Sequence, residues 1–393
     1  MARVNNLVLF FLGLVCYSWS SGSATMFNVD DYGAKGDGTS DDTQAFKKAW
    51  KKACSTSGSV LSVTSSKTYL LKPITFAGPC KSTITVEIDG KLLASNDRSD
   101  YNKTPRHWIL FENINHLVVQ GGGTIDGNGK IWWENSCKVN KKNTCKDAPT
   151  AVTFYNCNDL AVKSSTVQNA QQMHVVFEKC KNVRASGLTV SAPESSPNTD
   201  GIHVTSTQNI HIADCDIGTG DDCISIVSGT KKVRATDINC GPGHGISIGS
   251  LGAKTSNAYV SDVIVNGATF SGTTNGVRIK TWQGGSGTAS GIKFQNLTMK
   301  DVKYPIIIDQ FYCDQGEACQ VEKSAVQVEN VTYQNISGTS SSEDAVVFNC
   351  SSSVPCKGIV MQNVDLVRED GNSARAVCNN VKLTKIGTVI PSC

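Results

Sequence analysis

The chain has 393 residues, 39% of them hydrophobic and 18% charged, with 35 Gly, 16 Cys and a formal net charge of +3. Low charge with ample apolar content excludes a disordered polypeptide, and the lack of an apolar run of ~18–20 residues beyond the N-terminal segment excludes a membrane-spanning bundle. Only one stretch carries helical periodicity, so a β-rich body remains; a net charge this small does not point to nucleic acid, and an anionic partner would have to be met by local positive charge.

In chain order, Arg3 precedes an apolar stretch from Leu7 to Val15, followed by small residues through Ser23 and Ala24. Charge, short apolar segment and small residues make up a secretory signal peptide. Residues 1–24 are therefore expected to be removed, leaving 25–393 as one domain in the extracellular space or cell wall, with no membrane attachment after cleavage. Cleavage removes Cys16 and leaves fifteen cysteines in an oxidising compartment. Spacing suggests the pairs Cys137/Cys145, Cys313/Cys319, Cys350/Cys356 and Cys378/Cys393, and an odd number leaves at least one thiol over. No Cys-x-x-Cys pair occurs, which speaks against zinc. Asn102, Asn296, Asn330, Asn335 and Asn349 lie in glycosylation sequons.

The helical stretch is SDDTQAFKKAWKKAC, from Ser40 to Cys54. Ser40 is the predicted N-cap, acids follow it, and Ala45, Phe46, Ala49 and Trp50 fall on one face. A helix here would close one end of a stack that otherwise exposes its last strands.

From Asp159 a nine-residue pattern returns, as in DLAVKSSTV, NVRASGLTV, NIHIADCDI and DVIVNGATF, with apolar or small residues at its second, seventh and ninth positions. The second-position residues are Leu160, Val183, Ile210, Val233, Val263, Ile292, Val326 and Ile359, spaced by 23 to 34 residues. Each unit holds only two or three short strands, too few for a propeller blade. The pattern predicts an all-β fold, a single-domain right-handed parallel β-helix with an N-terminal capping helix, its coils about 4.8 Å apart.

A second strand recurs between these anchors, including DGIHV from Asp200, DCISI from Asp222, HGISI from His244 and NGVRIK from Asn275. If these are equivalent, Asp200, Asp222 and His244 form a column on consecutive coils, with Asp221 beside it and Arg278 and Lys280 on the next strand, opposite Val277 and Ile279. Strict alternation would bury the aspartates with the isoleucines, so a bend near Gly201 and Gly220 must turn them outward. Clustered carboxylates resist simultaneous ionisation, which allows one to hold a proton while a neighbour stays charged, as glycoside hydrolysis requires. One such Asp or His alone would be read as a turn or structural residue; their stacking beside two cations points to function. Stacked aspartates also suit Ca²⁺, but Arg278 and Lys280 compete with a metal, so no metal and no cofactor is expected.

SPNTDGIHV (195–204), GDDCISI (220–226), GHGISIGS (243–250) and RIK (278–280) resemble the signature segments of polygalacturonases, pectin-hydrolysing glycoside hydrolases of the pectin-lyase-like β-helix superfamily. The resemblance extends through residues 32–46 and 111–129, has the look of plant members, and at QGGSG (283–287) is more similar to endo-acting ones. It implies Asp221 as general acid, Asp200 and Asp222 as the pair that positions and deprotonates water, and His244 as the group that tunes and orients the acid. It further implies Arg278, Lys280 and Tyr312 at the galacturonate next to the scissile bond, and Asn198 beside the first Asp. Coil spacing serves either retention or inversion; the surplus of carboxylates favours an activated water, and the resemblance points the same way. The expected partner is polygalacturonate or pectin, with a wall inhibitor protein as a further partner and a monomer as the working form. Exo-action, a rhamnogalacturonan substrate, a calcium-dependent lyase and a catalytically silent wall-binding β-helix are the competing readings.

Overall fold

A computed structural model describes residues 24–103, 106–145, 148–313 and 320–393. The expected signal peptide, Ala24 apart, and the Cys313/Cys319 pairing lie outside these residues. Among the described residues the strands form two parallel ribbons, one of nineteen strands and one of eleven, wound as successive rungs of a right-handed parallel β-helix.

The anchors stack one above another. Leu160, Val183, Ile210, Val233, Val263 and Ile292 pair in register from coil to coil, and none is more than 1% exposed. The next partner of Ile292 is Val331, which in turn pairs with Ile359. Val326 is therefore not the anchor of its coil. Val326, Val328, Val331 and Tyr333 are all buried, so apolar alternation alone allows more than one frame. The corner decides between them. Asp159, Asn182, Asn209, Lys232, Asp262, Gly291, Asn330 and Gly358 each stand immediately before an anchor with a φ between 52° and 63°. Seven of these eight are Asn, Asp or Gly, which tolerate this left-handed conformation, Lys232 being the exception, whereas Ala325, which would precede Val326, is not of that kind.

Inside the coil Phe76, Phe111, Phe154 and Phe177 form a continuous stack with centroids 4.9, 5.2 and 5.4 Å apart. The helix runs Thr43–Cys54 and buries Ala45, Phe46, Ala49 and Trp50, with Trp50 against Phe76 at the open N-terminal end. Its start differs from expectation. Ser40 belongs to the strand Asp37–Asp41, held there by Asp37, which accepts from its N–H and its hydroxyl. Asp42 takes the cap position with no side-chain cap bond, because its carboxylate instead accepts the N–H groups of Lys35 and Gly36.

Of the disulfides suggested by spacing, Cys137–Cys145, Cys350–Cys356 and Cys378–Cys393 form. Cys54–Cys80 and Cys223–Cys240 join residues that only the coil brings together. Among the described residues, Cys157, Cys180 and Cys215 are buried free thiols, which accounts for the odd count. No helix among the described residues is long and apolar enough to cross a membrane.

Candidate functional site

Ile202 pairs with Ile224, Ile224 with Ile246, and Ile246 with Val277. Two residues before these partners stand Asp200, Asp222, His244 and Asn275, so the predicted column forms and gains a fourth member. The strands begin at Ile202 and Ile224, just after the aspartates, and these entrance segments free the carboxylates from the alternation of the buried isoleucines. The glycines act by their lack of volume. Neither has a left-handed φ, but a Cβ on Gly201 would strike Ile217 and the Cys223 carbonyl, and one on Gly220 would strike the Ser196 carbonyl.

Asp222 is the most enclosed of the three acids, its side chain 2% exposed. Its Oδ1 accepts from Ser247 Oγ at 2.6 Å and Arg278 Nη2 at 2.9 Å, and its Oδ2 accepts from Lys280 Nζ at 2.9 Å. Arg278 Nε also donates to Ser247 Oγ at 3.1 Å. The two cations expected to face substrate are thus also counter-charges of an acid. Lys280 Nζ lies 5.2 Å from the centroid of the Tyr312 ring, and Tyr312 meets Trp282 edge-on at 5.9 Å.

Asp200 Oδ2 accepts from Ser225 Oγ at 2.7 Å, and His203 Nδ1 stands 2.7 Å from the same hydroxyl. With the Ser225 proton directed at Asp200, His203 Nδ1 is the donor to Ser225. Asp221 Oδ1 faces His244 Nδ1 at 3.0 Å and accepts the Asp222 N–H at 2.8 Å, while Oδ2 accepts from Asn198 Nδ2 at 3.3 Å. All eight residues singled out from sequence therefore meet in one region. Ser225, Ser247, His203 and Asn275 were missed, although the alternation that turns Arg278 to the outer face of its strand does the same for the residues in register with it, Ser247, Ser225 and His203.

Burial pushes the Asp200 carboxyl above the ordinary carboxylate range, and the charges of Asp221 and Asp222 add to this. Burial also pushes Asp221 upward, but the hydrogen bond and charge of His244, with the charge of Lys280, outweigh it and leave Asp221 lowered. The hydrogen bond to Asp221 raises His244 against its own burial. The carboxyls of one cluster are thus pushed in opposite directions, Asp200 up and Asp221 down. A like-charged cluster splits its titrations in this way, and the proton of the His244–Asp221 pair belongs to the hydrogen bond as a whole.

Asp221, Asp222 and His244 bring ligand atoms within 4.8 Å of one another, close enough to hold a cation. Both oxygens of Asp222 are already engaged by Arg278 and Lys280, so a metal would have to displace or tolerate two positive charges.

The family described as Glycosyl hydrolases family 28 matches residues 54–390. A protein of Malus domestica named polygalacturonase is 60% identical over 376 residues, spanning 95% of this chain and 80% of that protein. Polygalacturonase-2 of Solanum lycopersicum is 57% identical over 369 residues, spanning 94% of this chain and 80% of that protein. Among solved structures, the fold is shared with endo-xylogalacturonan hydrolase from Aspergillus tubingensis at a TM-score of 0.81 and 21% identity, over 94% of this chain and 100% of that one. It is shared also with the polygalacturonase from Erwinia carotovora at 0.74 and 24%, over 88% and 94%. With a family match across most of its length and close relatives over nearly all of it, the chain belongs to glycosyl hydrolase family 28.

Proposed function

We propose that the chain is a secreted endo-acting polygalacturonase of the plant cell wall, cleaving α-1,4-galacturonosidic bonds of de-esterified pectin with inversion at the anomeric carbon. The observation that carries this reading is the convergence of Asp200, Asp221 and Asp222 with His244 on one side and Arg278 and Lys280 on the other. A polyanionic sugar needs a cationic hold beside its acid and base, and a guanidinium fork suits a carboxylate. The names of the close relatives support the same substrate.

In this mechanism Arg278 and Lys280 share their donors between Asp222 and the substrate carboxylate, which fixes one ring at the acid cluster. Asp200 and Asp222 grip a water on the face away from the leaving group. Asp200, pushed upward by burial and its neighbours, takes the proton of that water once it is ionised. The leaving oxygen takes its proton from Asp221, which draws on the hydrogen bond shared with His244, so the pair acts as one acid. Attack by water in a single displacement inverts the anomeric centre and forms no glycosyl-enzyme. The segment 25–393 acts as one catalytic domain and works as a monomer.

Digestion of de-esterified polygalacturonate with product sizing tests substrate and mode together. A spread of oligomers early in the reaction is expected; monomer alone would mean exo-action. Proton NMR of the first-formed reducing ends tests stereochemistry, and appearance of the α-anomer before mutarotation would overturn inversion. Asp221→Asn is expected to lose most of kcat while still binding oligogalacturonate. Activity lost to chelator, with product absorbing in the ultraviolet, would instead mean a lyase.

A further inference from the structure

One device occurs twice beside the acids. Asp222 and Asp200 each precede a strand and accept from a serine of the next rung, Asp222 from Ser247 at 2.6 Å and Asp200 from Ser225 at 2.7 Å. Each serine oxygen in turn meets a nitrogen of a basic side chain, Arg278 Nε at 3.1 Å and His203 Nδ1 at 2.7 Å. His203, Ser225, Ser247 and Arg278 stand in register on successive rungs, so both devices share one row on the outer face of the strands.

The two acids differ in what they have left over. Asp222 has both oxygens engaged, Oδ1 by Ser247 and Arg278 and Oδ2 by Lys280. On Asp200 the Ser225 hydroxyl and His203, whose Nδ1 is 3.9 Å away, both address Oδ2, and Oδ1 has no hydrogen-bond partner among the described residues. The two basic groups differ as well. A guanidinium is always charged and always a donor, whereas each ring nitrogen of an imidazole either donates or accepts. A serine hydroxyl carries one proton. While His203 Nδ1–H donates to Ser225 Oγ, the Ser225 proton points at Asp200, which favours the carboxylate as the stronger acceptor. A bare Nδ1 would draw that proton to itself, and the Ser225 oxygen would then favour a proton on Asp200.

We infer that His203 is a positioning residue which, through Ser225, holds Asp200 as a carboxylate anchored by Oδ2 and leaves its Oδ1 to the attacking water. The inference rests on the reading of Asp200 as the base of a hydrolase. It separates the two acids: Asp222, fixed by Arg278 and Lys280, steadies the water, and Asp200 takes its proton. Burial is the largest influence on the Asp200 carboxyl and raises it, with the charge of Asp221 adding to this, while His203 works in the opposite direction. The charged groups around the imidazole are Asp200 at 3.9 Å, Glu178 diagonally across on the preceding rung, where Val176 is its direct partner, and Arg278 three rungs on. Asp221 and Asp222 act on Asp200 from the next rung.

The test measures the pH dependence of kcat and KM on polygalacturonate for the wild type, His203→Phe, His203→Asn and Ser225→Ala, with thermal midpoints as folding controls. His203→Phe keeps a ring and removes the donor. Removing a group that lowers Asp200 raises it further, so the acid limb of kcat/KM should move to higher pH by about one unit, the low end of what an opposite charge at this range does. At a fixed pH on that limb the variant is then about tenfold slower. KM should stay near the wild-type value, because Arg278 and Lys280 still hold the substrate. His203→Asn, whose amide can donate from the same place, should recover part of the shift, and Ser225→Ala should reproduce it. An acid limb that stays in place in His203→Phe, or a loss of kcat equal at every pH, would overturn the role. Nitrogen NMR of labelled histidine reads the same point apart from activity: above the acid limb His203 Nδ1 should carry a proton, and a bare Nδ1 there would also overturn it. A wild type that cleaves no polygalacturonate would remove the reading of Asp200 as base, and the role with it, whereas an unmoved limb in an active enzyme touches His203 alone.

Discussion

Replacing Lys280 by Met keeps the length of the side chain and removes its charge. Lys280 Nζ is 2.9 Å from Asp222 Oδ2, and the two side chains are 9% and 2% exposed, so the pair is out of water. Breaking a buried ion pair by deleting one partner typically costs about 3–5 kcal/mol, because the other charge is left uncompensated. Here Arg278 and Ser247 continue to serve Oδ1, which places the expected loss at the lower end, about 3 kcal/mol. In an Asp222→Asn background the amide has no charge to compensate, and the same Lys280→Met change should cost about 1 kcal/mol or less. The coupling energy is then about 2 kcal/mol, within the range seen for contacting residues. Equilibrium denaturation of the four proteins at neutral pH measures it. A coupling below about 0.5 kcal/mol would show that the pair contributes no interaction of its own and would refute the counter-charge role. KM effects at Lys280 and Arg278 must accordingly be read beside folding midpoints, since both residues also compensate the charge of Asp222.

Activity should follow a bell-shaped pH profile. Its acid limb is expected above the ordinary carboxylate range because Asp200, the proposed base, is raised, and its alkaline limb should follow the raised His244. His244→Gln should move the alkaline limb of kcat/KM to lower pH, and a limb that stays in place would remove His244 from the acid. Gly201→Ala should shift Asp200 and destabilise by about 1–3 kcal/mol, since the added Cβ strikes Ile217 and the Cys223 carbonyl; wild-type kcat and midpoint together would show that the entrance turn has room to spare. Replacing Cys223 and Cys240 together by Ala opens a link of sequence separation 17 and should cost about 3 kcal/mol by denaturation. A change under 1 kcal/mol would mean that the coil holds this segment without the bridge.

Much of this was legible because a coil repeats. The β-helix follows from the stacked anchors, and the column of Asp200, Asp222 and His244 follows from strands that recur every 22 residues. The error at Val326 shows the limit of apolar periodicity. A long alternating strand such as Gln327–Ser340 offers several equivalent frames, and the signal that separates them is conformational, an Asn, Asp or Gly able to turn left-handed before the anchor. Ser225 and Ser247 were hidden for another reason. A serine on the outer face of a strand is ordinary, and only the register that sets it against an aspartate gives it work. The engagement of Arg278 and Lys280 by Asp222 spans 56 and 58 residues and depends on side-chain reach, which no spacing reveals.

Because the acids, the imidazole and the cations come from different rungs, the dimensions of the cleft are multiples of one strand spacing. Inserting a whole rung between Asp221 and His244, which stand on neighbouring rungs, would move the two apart by about 4.8 Å, far more than their hydrogen bond tolerates. Gradual adjustment is open only to the loops that rise from the rungs, such as the one bearing Cys137–Cys145. Diversification of substrate range on this scaffold should therefore proceed through loop length and composition while the number of rungs beneath the acids stays constant, much as a ruler keeps its divisions while the marks beside it are redrawn.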